Sequence, residues 1–341
     1  MNKIMKTISA AAIAVASTGL PAAAQETTLR LSNWLPPSHP IVKDIVMPWA
    51  ANVEEATEGR VTVQILDAPL GPPPAHFDLA ATGAADVTFG VHGYTPGRFS
   101  LTQIAELPLN TPNSEALSVA YWRVHEAMMA EKAEHQGVKV LAVWGHGPGH
   151  MFTTGADVSP MSAVEGLKIR VAGALTSQLA EEMSMVPLQA PSPKTYELLS
   201  GGVADAIYFP YESVPFFKLD SLLTKALRVD GGLYNVSFFM VMNQAKFDSM
   251  SDADKAAIDE VSGEALVRMA GKAWDAADEA GLSALEGTVD FHDATEEEMV
   301  AVEEMSQPLY DTVRKAFDEK GVDFDAALEM LRNETQAVLS E

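Results

Sequence analysis

The chain has 341 residues, with 47 Asp and Glu against 23 Lys and Arg, and it has no cysteine. The formal net charge of −24 excludes a general nucleic-acid binder, and the lack of cysteine excludes a disulfide scaffold or a thiolate metal site. With 47% hydrophobic residues the chain is globular rather than disordered, and its length predicts about two domains.

The first 24 residues have the pattern of a secretory signal peptide. Two lysines precede an apolar run from Ile8 to Leu20, and a small-residue cleavage site ends at Ala24. A membrane anchor is the alternative, but the run is shorter than the ~20 residues that a spanning helix needs. We therefore expect residues 1–24 to be removed near Ala24 and the mature protein to be exported.

The mature chain begins with an α/β unit. Apolar spacing and alternation predict a strand at 29–35, a helix at 41–57 and a strand at 60–66. A β–α–β order of this kind predicts a parallel sheet with helices on its faces.

The second half repeats this order. Strands are predicted at 166–171, 186–189 and 236–242, with a helix at 175–185. Further helices are predicted at about 251–285, 295–320 and 325–339, and the first of these is long enough to cross between two lobes.

An internal repeat links the two halves. Residues 76–89 resemble residues 195–208, and each of the matching pairs is separated by 119 positions. Each copy predicts a short helix, a glycine stop, an aspartate and a buried strand. The repeat favours two related lobes over a chance match of a common unit.

The sequence gives little indication that the protein is an enzyme. The sequence has no G-x-S-x-G, P-loop or H-E-x-x-H motif. His146 and His150 have metal-ligand spacing for a helix, but the Gly-Pro-Gly between them predicts a turn. An exported metal-dependent enzyme that uses these two histidines remains an alternative.

Arg170 is the most informative charged residue. It lies in the apolar strand at 167–171, where a sheet covered on both faces leaves a charge in need of a partner. A guanidinium matches a carboxylate in bidentate geometry. The partner is either an acidic side chain of the protein or the carboxylate of a ligand.

Several of these features together resemble a known family. The signal, the L-K-I-R-V strand at 167–171, the helix–G-x-x-D block at 196–205 and the long late helix resemble the periplasmic solute receptors of TRAP transporters, the DctP-type family. The resemblance extends over essentially the whole mature chain. It implies an α/β, type II-like binding protein with two lobes, each a mixed sheet flanked by helices, bridged by a long helix.

The resemblance also implies a function and a division into lobes. A monomeric periplasmic receptor, without catalysis, cofactor or metal, would deliver a small organic acid to the small and large membrane subunits of an ion-gradient-driven permease. Lobe I would comprise 25–148 and about 236–270, and lobe II 149–235 and about 271–341. A receptor for an ATP-driven importer or a sensor is the alternative.

The family's carboxylate-binding arginine falls on Arg170. Members that bind sugar acids carry a second arginine and an asparagine where this chain has His150 and Phe209. The cleft is therefore expected to be less cationic and more aromatic, which argues against a sugar acid or a dicarboxylate.

The other candidate ligand-binding residues lie next to the ends of predicted strands or at the start of the first repeat helix, because ligands in such folds lie at the carboxyl ends of strands. They are Trp34, Phe77, Tyr94, Trp144, Tyr208, Tyr211, Glu212 and Tyr234. Core packing is the alternative for each aromatic residue. The set predicts that the ligand is a small monocarboxylate whose other part is apolar, aromatic or cationic. Aromatic faces would suit the cationic head of a betaine-like zwitterion, and Glu212 would suit an amine.

Overall fold

The computed structural model describes residues 27–132 and 134–341. The predicted signal peptide lies outside the described residues. Within them, no helix is both long and apolar enough to cross a membrane.

Eleven strands are described. They are β1 (Thr27–Ser32), β2 (Val61–Ile65), β3 (Val87–Val91), β4 (Val138–Gly145), β5 (His150–Thr153), β6 (Lys168–Val171), β7 (Val186–Gln189), β8 (Ala206–Phe209), β9 (Lys225–Arg228), β10 (Ser237–Asn243) and β11 (Asp290–Asp293).

The strands alternate with eleven described α-helices. They are α1 (Met47–Ala56), α2 (His76–Ala81), α3 (Ser114–Val124), α4 (Ala174–Glu182), α5 (Thr195–Ser200), α6 (Ser213–Phe216), α7 (Gln244–Asp248), α8 (Asp252–Glu260), α9 (Gly263–Leu285), α10 (Glu296–Glu319) and α11 (Phe324–Leu339). A π-helical turn, Ile41–Val46, leads directly into α1 and completes the predicted first helix.

The strands form two mixed sheets with a common plan. The first has the order β2-β1-β3-β10-β4 and the second the order β11-β9-β5-β8-β6-β7. β3 lies between parallel β1 and antiparallel β10, and β8 lies between parallel β6 and antiparallel β5. The two copies of the sequence repeat therefore occupy equivalent places, which confirms the predicted pair of related α/β lobes.

The chain passes between the sheets several times. It leaves the first sheet after β4, returns to it at β10, and contributes β11 to the second sheet after α9. The predicted lobe boundaries at 148/149 and 235/236 fall in two of these crossings and stay a prediction.

The predicted long helix at 251–285 is divided in the structure. α8 ends at Glu260, and α9 begins at Gly263, whose φ of +58° lies in the left-handed region. The break lets the Ser262 hydroxyl accept a hydrogen bond from the buried Trp49 indole, at 3.1 Å. α9 still bridges the molecule, because it packs on α3 and β4 at one end and on α6 at the other.

Candidate functional site

A cavity lies between the two sheets, where the chain crosses from one to the other. The space between its walls is about 430 Å³, including the mouth that opens to solvent. Its walls combine residues of both lobes and of the crossings: Trp34, Leu35, His39, Ile41, Val91, Tyr94, His146, Arg170, Ala172, Ser192, Phe209, Pro210, Ser213, Phe217, Tyr234, Val236, Phe238 and Trp274.

Five of the predicted ligand-binding residues lie on this wall. They are Trp34, Tyr94, Arg170, Phe209 and Tyr234. They come from segments far apart in the sequence, so the fold gathers them as the strand-end argument predicts. Their contact with a ligand stays a prediction.

Three other predicted residues lie away from the wall. Phe77 packs against Phe99 and Phe239, with ring centroids 5.0 and 5.6 Å away, in a separate apolar cluster. Trp144 stacks on Phe238 at 5.5 Å and so supports the wall from behind. Tyr208, which is also buried, donates a hydrogen bond to a methionine sulfur at 3.1 Å.

The remaining three predicted residues, His150, Tyr211 and Glu212, also lie outside the cavity wall. The rings of His150 and Tyr211 are 4.4 Å apart and pack on each other. The buried carboxylate of Glu212 accepts a hydrogen bond from Ser213 Oγ at 2.8 Å. Glu212 is not among the residues that line the cavity.

Arg170 projects from β6 and is 1% exposed. Its Nε donates to the Ala190 carbonyl at 2.8 Å, and its Cζ lies 4.9 Å from the centroid of the Phe209 ring. Within the described part of the chain, no Asp or Glu forms a salt bridge with it. A guanidinium stays charged at any physiological pH, so its burial without an anion is costly.

The Tyr94 hydroxyl joins Arg170 to the opposite lobe. It accepts hydrogen bonds from Arg170 Nη2 at 3.4 Å and from the Ser192 amide at 2.8 Å. Both contacts use its lone pairs, so its own proton remains available to donate. Arg170 Nη1 donates to none of the described residues, and the two groups therefore offer a carboxylate two adjacent donors.

Aromatic rings form much of the rest of the wall. The Trp34 indole N–H donates to the Phe89 carbonyl at 3.1 Å, so this residue has only its ring to offer a ligand. Phe209 stacks on Phe217 at 5.7 Å, and Phe238 packs against Trp274 at 5.6 Å. These surfaces suit a flat apolar group better than a polyhydroxylated one.

Three buried titratable residues lie close together at the cavity: His39 on the wall, and Glu212 and Asp278 behind it. Burial raises the pKa of Glu212 to about 7 and lowers that of His39 to about 3. Asp278 Oδ1 accepts from the Glu212 amide at 2.8 Å, and burial raises the Asp278 pKa well above its usual range. Burial therefore disfavours the charged form of all three groups.

The lobes also meet beside the cavity, at residues adjacent in the chain to Tyr94 and Ala172 of the wall. A Cβ built on Gly173 would lie 3.0 Å from the Cα of Gly93, so the two backbones touch where neither residue has a side chain. Gln189 Nε2 donates to the Gly93 carbonyl at 3.1 Å across the same contact. The structure is therefore that of a closed cleft.

The wall includes residues that the sequence did not single out as ligand contacts. Phe217, Phe238 and Trp274 are examples, and their apolar patterns are the same as those of core residues. His146, one of the two histidines with metal-ligand spacing, lies on the wall, and His150 lies outside it. Among residues 27–132 and 134–341, no group of three or more His, Asp or Glu is arranged to hold a metal ion.

Comparison with known proteins accounts for this arrangement. The family model for bacterial extracellular solute-binding protein, family 7 (DctP), matches residues 31–316. The chain belongs to this family. The resemblance that the sequence suggested is thus confirmed, together with the two-lobed fold.

Three solved DctP-like structures cover nearly the whole chain. A TRAP periplasmic solute-binding protein from Bordetella bronchiseptica, with bound (R)- and (S)-mandelate, is 39% identical, covers 92% of this chain and 99% of its own, and has a TM-score of 0.89. A marine metagenome TRAP protein specific for aromatic acids, in complex with metahydroxyphenylacetate, is 29% identical, with coverages of 92% and 99% and a TM-score of 0.85. One from Rhodoferax ferrireducens, with copurified benzoate, is 25% identical, with coverages of 91% and 98% and a TM-score of 0.85.

Proposed function

We propose that this protein is the solute receptor of a TRAP transporter and that it captures an aromatic monocarboxylate. The observation that carries the proposal is the buried Arg170 guanidinium, which has no carboxylate partner in the described chain and faces a cavity with aromatic walls. A ligand carboxylate supplies the missing anion, and a planar ring fits between the aromatic side chains.

Binding proceeds through closure of the two lobes. In the open form the carboxylate pairs with Arg170, and the ring enters between Trp34 and Phe209. Closure brings Tyr94 and Arg170 together and expels water, which strengthens the charge pair because the local dielectric falls. Hinge closure around a ligand is a common transition in two-lobed proteins.

The ligands of related proteins support the aromatic class. Receptors of similar fold bind mandelate, metahydroxyphenylacetate and benzoate, each of which joins one carboxylate to one aromatic ring. A ligand that carries a cationic group beside its carboxylate has less support, because Glu212 lies behind the wall instead of on it.

The same proposal extends to location and partners. Residues 1–24 direct export to the periplasm and are removed near Ala24. The mature receptor works as a monomer, has no catalytic activity, and delivers its ligand to the small and large subunits of the permease. Mass spectrometry of the secreted protein, followed by transport assays with and without the permease genes, tests each part.

A thermal-shift screen tests the ligand class directly. Benzoate, phenylacetate and mandelate should raise the melting temperature, because a ligand stabilises the native state by its binding free energy. Glucuronate, succinate and glycine betaine are the comparison ligands. Stabilisation by these three and not by the aromatic acids would refute the proposal.

A further inference from the structure

Two residues that line the cavity each have a buried polar side-chain atom with no hydrogen-bond partner. The atoms are Nε2 of His146, a residue that is 2% exposed, and Nε1 of Trp274, a residue that is 3% exposed. Among the described residues, every other buried polar side-chain atom that lacks a hydrogen-bond partner belongs to a residue outside the wall. A buried polar group without a hydrogen-bond partner costs about 1–3 kcal/mol, so most buried polar groups in native proteins have a partner.

The two atoms have opposite hydrogen-bonding chemistry. His146 Nδ1 lies 2.6 Å from the Gly147 carbonyl, so Nδ1 carries the proton and Nε2 presents a lone pair. Burial lowers the pKa of His146 to about 4, so the ring is neutral at neutral pH. The Trp274 indole nitrogen can only donate, and the two ring centroids are 5.9 Å apart.

We propose that His146 and Trp274 together bind a hydroxyl group of the ligand, which is therefore a hydroxylated aromatic acid. The hydroxyl donates its proton to His146 Nε2 and accepts from Trp274 Nε1. This inference rests on the proposed function, because Arg170 is taken to hold the carboxylate of the same ligand.

Other substituents of the ligand form a hydrogen bond with only one of the two residues. An ammonium group donates but does not accept, so it leaves the Trp274 N–H unpaired. A carbonyl, ether or halogen accepts but does not donate, and it leaves His146 Nε2 unpaired. Since a site built to bind a hydroxyl discriminates strongly against an analogue without one, the pair determines specificity rather than bulk affinity.

Isothermal titration calorimetry on the purified protein tests the inference with matched ligands. Phenylacetate is compared with (R)-mandelate, (S)-mandelate and 3-hydroxyphenylacetate, which add one hydroxyl at different positions. We expect at least one hydroxylated acid to bind at least about tenfold tighter than phenylacetate. This comparison uses the unaltered protein and does not depend on whether a variant folds.

Variants then assign the preference to the two residues. His146→Phe and Trp274→Phe each remove one polar atom and keep an aromatic ring, so each should reduce the hydroxyl preference to less than about threefold. Trp144→Phe is the matched control, because its indole N–H is equally buried and unpaired but lies off the wall, and it should retain the preference.

Three outcomes overturn the inference. One is equal affinity for phenylacetate and all its hydroxylated analogues, which leaves the proposed function standing. Another is a hydroxyl preference that persists in both wall variants. The third is the failure of any aromatic acid to bind, which refutes the proposed function together with the inference.

Discussion

Replacement of Arg170 by methionine separates a ligand-binding role from a structural one. Methionine retains much of the side-chain volume but removes the charge and the Nη1 donor that the guanidinium offers to a carboxylate. Because no acidic side chain of the described chain pairs with Arg170, a bound carboxylate is the counter-charge that the variant loses.

The magnitude follows from the burial of the pair. Truncating one partner of a buried, hydrogen-bonded charge pair costs about 2–5 kcal/mol, and each ~1.4 kcal/mol is a factor of ten in affinity. Arg170→Met should therefore weaken the binding of an aromatic acid by about 30-fold to several thousandfold. Removing a buried charge that has no acidic partner among the described residues should leave the melting temperature of the ligand-free protein unchanged or raised.

Calorimetry with benzoate and thermal denaturation without ligand measure the two quantities. Arg228→Met is a matched control, because Arg228 lies 4.9 Å from the Phe291 ring centroid, as Arg170 does from Phe209, but pairs with Asp293 away from the cavity. Wild-type affinity in Arg170→Met would refute the reasoning. So would a marked loss of stability at unchanged affinity, since that is the result expected of a structural salt bridge.

Three further substitutions test other parts of the site. Tyr94→Phe removes the hydroxyl that contacts residues of the opposite lobe, and it should weaken ligand binding by about fivefold to 150-fold. Tyr208→Phe is the control, because it loses a hydroxyl that lies behind the wall, and it should bind the ligand normally in the same titration. Gly173→Ala brings a methyl group to about 3.0 Å from the facing glycine, so small-angle scattering should show incomplete closure on ligand addition; normal closure would contradict the close contact. Burial raises the pKa of Glu212 from 4.5 in the unfolded chain to about 7 in the native state. Between pH 4.5 and 7 the native state therefore binds more protons than the unfolded state, and the free energy of unfolding falls as the pH rises. Glu212→Gln should therefore gain stability over the wild type between pH 4.5 and 7, by up to about 3 kcal/mol in denaturant titrations, while the exposed control Glu197→Gln should show no such trend.

The fold was largely predictable because its signals are local. The β–α–β start and the repeat at 76–89 and 195–208 fix strand order next to each helix, and the structure places both copies in equivalent sheets. The pairing of β10 with β3 and β4 joins segments more than 90 residues apart, and no local pattern specifies it. The break before Gly263 was also missed, because the apolar spacing continues across it.

The site was predictable only in part, because sequence gives the end of a strand but not the direction of each side chain there. Phe209 lies on the wall while Tyr208, its neighbour, lies behind it. Arg170 was found because a charge in an apolar strand is rare. Phe238 and Trp274 were not, because an aromatic residue in an apolar strand or helix has the same pattern whether it faces the core or a ligand.

The unpaired charge of Arg170 has a consequence for the fidelity of transport. An empty receptor that closed would seal this guanidinium from water without an anion beside it, at a cost of several kcal/mol. A penalty of about 3 kcal/mol keeps the closed empty form below about 1% of the population. A permease that recognises the closed shape is thus presented almost entirely with loaded receptors, and few transport cycles are spent without cargo.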